Sequence, residues 1–250
     1  MADAAFDDPR LAAIYDALDP DRSDLDAYVA MVDEFGARSV LDLGSGTGVF
    51  ALMLAARGVQ VIGVEPAAAS IGVARLKPGA ERVTWIHGDA SAIPSGVTVD
   101  LVTMTANVAQ VFVTDDDWLS MLAAVHRVLR PGGRLLFETR DPTRRAWEDW
   151  TEELTRSTTD IPGVGRVTDW VLVTDVVGDG ELVAFESPNV FEADGSVIIS
   201  RSTLRFRSQA AIEASLVASG FVVDEVRDAP DRPGRELVFI ALRSPPPPHG

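Results

Sequence analysis

Val40-Leu-Asp-Leu-Gly-Ser-Gly-Thr-Gly48 governs the reading of the whole chain. Val40 to Leu43 is a short apolar run of the kind buried on both faces in a parallel sheet. Gly44, Gly46 and Gly48 turn the chain tightly into Val49-Phe-Ala-Leu-Met-Leu-Ala-Ala56, which reads as a helix. Glycine lets a backbone approach a bound molecule, and a helix start offers unpaired N–H groups. Strand, glycine turn and helix together therefore form a ligand cradle. Two acids follow it: Glu65 at the end of the next strand, and Asp89 after the strand beyond.

Outward from this stretch the pattern is α/β. Strand-like runs at 39–43, 59–64, 83–87, 99–105 and 133–140 alternate with helical or loop stretches at 47–57, 67–75, 90–96 and 115–130. Such alternation predicts a parallel sheet with helices on both faces. Arg130-Pro-Gly-Gly133 stops the last helix and launches the fifth strand. Upstream, residues 9–35 read as two helical pieces broken at Asp19-Pro20, an amphipathic cover for a sheet edge.

After about 142 the rhythm changes. Runs at 166–177, 181–187 and 196–207 are separated by Gly178-Asp-Gly180 and Ala193-Asp-Gly195, and Asp-Gly between apolar alternations is a hairpin signal. Ser208 caps a helix over Gln209–Ser219 that Gly220 closes, and strands 221–227 and 236–242 follow. The resulting division is a core over 1–141 and 208–243, its first 38 residues a helical cover. A small antiparallel insertion occupies 142–207, and a polyproline-like, disordered tail occupies 244–250.

Composition narrows the function. The net charge of −16 opposes a phosphate backbone, so nucleic acid is not expected as a partner. The chain has no cysteine, which excludes disulfides, thiolate zinc sites and a cysteine nucleophile and fits a reducing compartment. The acidic N-terminus shows no signal peptide, and no apolar run approaches the roughly 18 residues of a membrane span, so a cytoplasmic location without membrane association is expected. Lys77 is the sole lysine, which makes Schiff-base chemistry a poor fit.

Spacing decides what the cradle takes. A dinucleotide fingerprint would need glycine where Val49 stands, and no Gly-Lys-Ser/Thr follows for a phosphate loop. Glu65 lies about 20 residues past the turn, where a carboxylate accepts from a ribose diol. Asp89 is either an adenine contact or a turn cap.

With these residues in order, the chain resembles the class I S-adenosylmethionine-dependent methyltransferases. The resemblance rests on Val40–Gly48, Val64-Glu-Pro66, Gly88-Asp-Ala90, Asp100-Leu-Val-Thr-Met104 and Leu129-Arg-Pro-Gly-Gly-Arg-Leu135, spanning about 40–141. It implies a Rossmann-like, seven-stranded, mostly parallel sheet whose last strand is antiparallel. It also implies that Gly44, Ser45 and Gly46 pass beside the methionine portion of S-adenosylmethionine. Glu65 would hold the ribose, and Pro66, Asp89 and Ala90 the adenine. Thr105, Asn107 and Val108 would face the methionine and methyl group, with Asp42 bonding loop amides.

Methyl transfer from a sulfonium is a direct displacement that needs alignment and exclusion of water; a general base is needed only for a protonated acceptor. The acceptor is expected to be a small molecule, an amine or a hydroxyl compound. The proline-proline-aromatic signature of nucleobase and glutamine methylation is missing after strand four, where Thr105-Ala-Asn-Val-Ala-Gln110 stands. Asp115-Asp-Asp117 reads as a helix cap rather than a metal cluster, so no metal is expected.

Asn107, Gln110, Arg140, Trp147, Trp150 and Trp170 are candidate acceptor residues. Arg140 has salt-bridging to Asp141 or Glu138 as its alternative, and the tryptophans have core packing. Tyr15 and Glu186 are the candidates for a catalytic proton acceptor, and Tyr15 also for closing over the cofactor. The layout of 142–207 resembles that of amino-sugar N-methyltransferases. The segment is either a lid, supplying water exclusion, or a homodimerisation sheet. Two other functions stay open: a catalytically silent S-adenosylmethionine-binding protein, and a nicotinamide-dependent oxidoreductase.

Overall fold

The computed structural model describes residues 3–244; the polyproline expectation at 245–248 lies outside them. The chain opens with a helical turn α1 (Ala4–Asp7) and helix α2 (Pro9–Leu18). Asp8 caps α2 by accepting from the N–H groups of Arg10 and Leu11, and Pro9 sits at the first helical position, where no N–H is missed. Then come α3 (Asp26–Glu34), β1 (Ser39–Leu43), α4 (Val49–Ala56), β2 (Gln60–Glu65), α5 (Ala68–Leu76), β3 (Val83–His87), β4 (Val99–Met104), α6 (Asp115–Val128) and β5 (Leu129–Arg140). After α7 (Glu152–Thr155) run β6 (Ser157–Ile161), β7 (Gly165–Asp169), β8 (Leu172–Val177), β9 (Leu182–Phe191) and β10 (Ser196–Arg205). The chain closes with α8 (Gln209–Ala218), β11 (Phe221–Asp228) and β12 (Glu236–Arg243).

The main sheet has the order β11-β12-β5-β4-β1-β2-β3. β1, β2, β3, β4 and β5 are mutually parallel; β12 pairs antiparallel with both β5 and β11. This is the α/β Rossmann-like architecture that the alternation implies. Both faces are covered. On one, Trp118 and Met121 of α6 and Ile212 and Leu216 of α8 pack on Val102, Met104 and Phe137. On the other, Tyr28 and Val32 of α3 and Phe50 and Leu54 of α4 pack on Val40, Val61 and Leu101. Phe137 stacks on Phe239 with centroids 5.1 Å apart and meets Trp118 edge-on at 5.7 Å. That indole donates to Ser215 Oγ at 2.8 Å, tying α6 to α8.

A second sheet, β10-β9-β7-β6 with β8 also on β9, is antiparallel throughout. Its boundaries differ from the sequence expectation. The run at 166–177 is two strands, because the chain leaves the ladder at Trp170-Val171. Ser157-Thr-Thr-Asp-Ile161 also forms a strand, although it is too polar to show an apolar alternation. In the main sheet β5 begins at Leu129, ahead of Pro131, with a bulge opposite Val99–Leu101 accommodating the proline. The stretch at 90–96 is only a 3₁₀ turn over Ala90–Ala92. Thr114, not the aspartates, caps α6; Asp115–Asp117 fill its first turn, where negative charge suits the helix dipole.

The N-terminal segment joins the sheets. Leu11 and Ile14 of α2 pack with Ile161, Val167 and Phe191 of the antiparallel sheet. The Ala5 N–H donates to Ser200 Oγ at 2.8 Å on β10, while Ser70 Oγ of α5 donates to the Phe6 carbonyl at 2.7 Å. Among the described residues no helix is long and apolar enough to cross a membrane. Phe137→Ala is expected to destabilise the fold by about 3–5 kcal/mol, because the Phe239 and Trp118 rings both lose their contact with it. Urea unfolding should show a lower midpoint with an unchanged slope; an unchanged midpoint would mean that the core closes over the gap.

Candidate active site

The order of the main sheet reverses at β1, with β2 on one side and β4 on the other. Ligands bind outside the carboxyl ends of the strands at such a point. There the structure has a cavity of about 890 Å³ between the two sheets. Its floor is the glycine turn after β1. Gly44 has φ +76° and Gly48 φ +82°, and a Cβ at Gly44 would lie 2.6 Å from the Val108 side chain. The turn thus packs directly against the loop after β4 because it carries no side chain there. Ser45 Oγ is buried without a partner.

Glu65 is 5% exposed at the end of β2. Its Oε2 accepts from the Gly46 N–H at 2.7 Å and its Oε1 from the Ala67 N–H at 2.8 Å. Burial pushes its carboxyl above the usual range, against those two amides. The loop amide at Gly46 therefore goes to Glu65, whereas the resemblance gave loop amides to Asp42. Asp42 instead accepts from the Thr103 hydroxyl at 3.0 Å on β4, and burial pushes it up to about 7. Asp89 accepts at Oδ1 from both the Ser91 N–H and hydroxyl, which hold it below the usual carboxylate range. It is thus a turn cap, and it also lines the cavity beside Ala90 and Pro66.

The loop after β4 splits the sequence candidates. Thr105, Ala106 and Val108 line the cavity. Ala106 and Asn107 both lie in the left-handed region, at φ +55° and +61°, a conformation that costs of order 1–3 kcal/mol per residue outside glycine. Asn107 does not line the cavity: its N–H donates to Glu138 Oε1 and its Nδ2 to Glu236 Oε1, each at 3.1 Å. Gln110 and Arg140 are likewise behind the wall, where Arg140 Nη1 donates to Gln110 Oε1 at 2.8 Å. The ion pair of Arg140 is with Glu236 at 3.8 Å, not with Asp141 or Glu138.

The opposite wall comes from β9 and β10. Ala184, Phe185 and Glu186 pair with Thr203, Ser202 and Arg201 on three successive rungs, and all six reach the cavity. Glu186 Oε1 accepts from Arg201 Nε at 2.7 Å. Tyr15 of α2 lies at the rim with its ring 5.5 Å from Phe6, and burial raises its phenol. Trp147, Trp150 and Trp170 do not line the cavity. Trp147 packs edge-on to Phe206 at 4.7 Å, and Trp150 stands behind Phe185 at 5.1 Å. Trp170 lies under Arg156. Trp147 and Trp150 thus belong to a small core within the insertion.

Phe6, Phe112, Phe185, Arg201 and Thr203 reach the cavity without having been foreseen. One signal was available: counting back from the Asp194-Gly195 turn pairs Glu186 with Arg201 and carries the neighbouring rungs with it. Phe6 and Phe112 give no such signal, since they arrive through tertiary packing. Among the described residues no three His, Cys, Asp or Glu side chains are grouped to hold a metal.

Residues 40–133 match the family described as a methyltransferase domain. With this fold and motif order, the chain is similar to the class I S-adenosylmethionine-dependent methyltransferases, whose cofactor is S-adenosylmethionine. Its particular relatives are diverse. Cypemycin N-terminal methyltransferase of a Streptomyces species is 31% identical over 116 residues, 46% of this chain and 47% of that protein. The match thus spans about half the length of that curated relative. Among solved structures, an S-adenosylmethionine-dependent methyltransferase from Clostridium acetobutylicum superposes with a TM-score of 0.76 at 17% identity, covering 94% of this chain and 98% of that one. An amino pentose methyltransferase from Micromonospora echinaspora superposes with a TM-score of 0.69 at 22% identity, covering 92% and 97%. At these identities the likeness is one of fold.

The cavity residues fit that cofactor. Gly44, Ser45 and Gly46 line the cavity floor, Ser45 Oγ is a buried hydroxyl without a partner, and Glu65 offers a buried carboxyl at the same end.

Asp42 generates a pH prediction. Unfolded, it ionises near about pH 4; folded, it keeps its proton to about 7. Its contribution to stability is full below the unfolded value and is lost as pH rises toward 7, because the unfolded chain then binds fewer protons than the fold. Asp42→Asn keeps an acceptor for Thr103 and removes the titration. Denaturant unfolding from pH 5 to pH 7 should show a flatter stability profile for the variant, by on the order of 2–3 kcal/mol. Parallel profiles would mean that Asp42 is ionised in the fold.

Proposed function

We propose that the chain transfers a methyl group from S-adenosylmethionine to the nitrogen of a small-molecule amine, and that it does so in the cytoplasm. The observation that carries this is the continuity of one cavity from Glu65 and the glycine turn to the Glu186–Arg201 rungs of the second sheet. Such a cavity has room for a nucleoside cofactor at one end and a small acceptor at the other. The amine follows from charge. Asp3 and Glu186 lie on the acceptor side, and Arg201 is committed to Glu186. The amino pentose methyltransferase that shares the fold supports the same reading.

Bound, the cofactor supplies a methyl carbon on a sulfonium sulfur, open to in-line displacement. Glu65 receives the ribose hydroxyls on the lone pairs that Gly46 and Ala67 leave free. Pro66 and Ala90 flank the adenine, and Asp89 offers it Oδ2, since Ser91 takes Oδ1. Gly44, Ser45, Thr105 and Val108 enclose the methionine end. Glu186 accepts a hydrogen bond from the acceptor nitrogen and takes its proton when the amine arrives as an ammonium. The Tyr15 phenol, its ionisation raised by burial, stays a donor at neutral pH and reaches the cofactor end of the cavity. Phe6, Phe112 and Phe185 keep water from the reacting atoms.

Titration calorimetry with S-adenosylhomocysteine should show binding that Glu65→Ala weakens tenfold or more; unchanged affinity would put the ribose elsewhere. Wild-type affinity should fall as pH drops through the raised Glu65 value, because the protonated carboxyl loses acceptor capacity, and Glu65→Gln should remove that dependence. A panel of amine, hydroxyl and carboxylate acceptors, read as S-adenosylhomocysteine produced, should give turnover with amines. Glu186→Gln should lower that turnover at least tenfold while leaving cofactor affinity within about twofold. Turnover only with hydroxyl or carboxylate acceptors, or with none, defeats the reading.

A further inference from the structure

Behind the cavity lies a buried polar cluster for which the displacement has no direct use. Asn107, Glu138 and Glu236 are 4%, 5% and 2% exposed. Glu138 on β5 and Glu236 on β12 point to the same face, because Glu236 pairs with Arg140, two residues along from Glu138. Asn107 joins them, donating its backbone N–H to one carboxyl and its Nδ2 to the other. Glu236 also accepts from Arg232 Nη1 at 2.8 Å. The far end of the segment is tied as well: Gln110 accepts from Arg140, whose Nε lies 3.8 Å from Glu236.

The tied segment is strained. Ala106 and Asn107 are successive non-glycine residues in the left-handed region, and such residues persist when the surrounding structure over-determines them. The segment also has two faces. Inward, Thr105, Ala106 and Val108 are cavity wall, and Val108 is the side chain on which the Gly44 turn rests. Outward, Asn107 is fixed to β5 and β12. A carboxyl placed only to stabilise the strand pair has no need to accept from this loop's backbone.

We propose that Glu138 and Glu236 are positioning residues. Through Asn107 they hold the Thr105–Val108 turn in its left-handed conformation and so fix the cavity wall at the methyl-donor end. What that wall faces rests on the methyltransferase reading; that the turn is held does not.

The test compares wild type, Glu138→Gln, Glu138→Leu and Asn107→Gly by two readouts: amide hydrogen exchange at residues 105–108, resolved by NMR, and calorimetric titration with S-adenosylhomocysteine. Glu138→Gln keeps an oxygen acceptor and should match wild type within about twofold in both. Glu138→Leu should speed exchange of the Asn107 amide at least tenfold and weaken S-adenosylhomocysteine binding at least tenfold. Asn107→Gly tolerates the left-handed backbone and keeps the N–H donor, but loses the tie to Glu236. It should give a smaller rise in exchange and at least a threefold loss of affinity, and it decides the matter if Glu138→Leu does not fold. Wild-type exchange and affinity in a folded Glu138→Leu or Asn107→Gly protein would overturn the proposal. So would faster exchange with unchanged affinity, since the cluster would then serve the strand pair alone. A wild-type chain that does not bind S-adenosylhomocysteine overturns the functional reading instead, and exchange then still judges the tether.

Discussion

β1 stands where the strand order reverses, between β2 and β4, and the cavity opens at its carboxyl end. Every feature of the cavity follows from that opening. The turn after β1 has to pack against the loop after β4, and Gly44 permits it because Val108 occupies the space of a side chain. The adjacent strand end then brings Glu65 under the turn, where it accepts the Gly46 amide and fixes the turn's shape. A buried backbone amide is satisfied and a carboxylate is held in one orientation by the same bond.

Burial of acid recurs around this point. Asp42, Glu65, Glu138 and Glu236 are all at most 5% exposed in a chain of net charge −16. Each has hydrogen-bond donors: a threonine hydroxyl, loop amides, the asparagine or an arginine. Desolvation nevertheless lifts Asp42 to about 7 and Glu138 to about 8, the latter helped by Glu236 alongside. Asp42 and Glu138 therefore make their hydrogen bonds without adding full negative charge to the interior at neutral pH.

How much of this was legible varies with the distance over which the signal acts. The main sheet was legible strand by strand, because buried parallel strands are apolar runs and the breaks between them are Gly and Pro. The two Asp-Gly turns announced the antiparallel insertion, while β6 escaped notice because Ser157-Thr-Thr-Asp looks like a loop. In the cavity, Gly44, Ser45, Gly46, Glu65, Pro66, Asp89, Ala90, Thr105 and Val108 stand where local motif order put them, and Tyr15 and Glu186 reach the same cavity. Asn107, Gln110 and Arg140 had the chemistry of acceptor residues but face the other way. Two left-handed residues in succession turn the loop, and no pattern in Thr105-Ala-Asn-Val108 reveals that. Trp147 and Trp150 went to the insertion's own core, since a small sheet needs large side chains to bury.

The N-terminal segment meets the main fold at Ser70 and the second sheet at Ser200, and Asp3 and Phe6 belong to the cavity lining. Ser202 Oγ donates to Asp3, so this part of the chain runs along the cavity mouth. The Ser70 and Ser200 bonds that seat this segment therefore also set one edge of the cavity, so a change that breaks either one acts on the cavity's shape as well as on the segment's own stability.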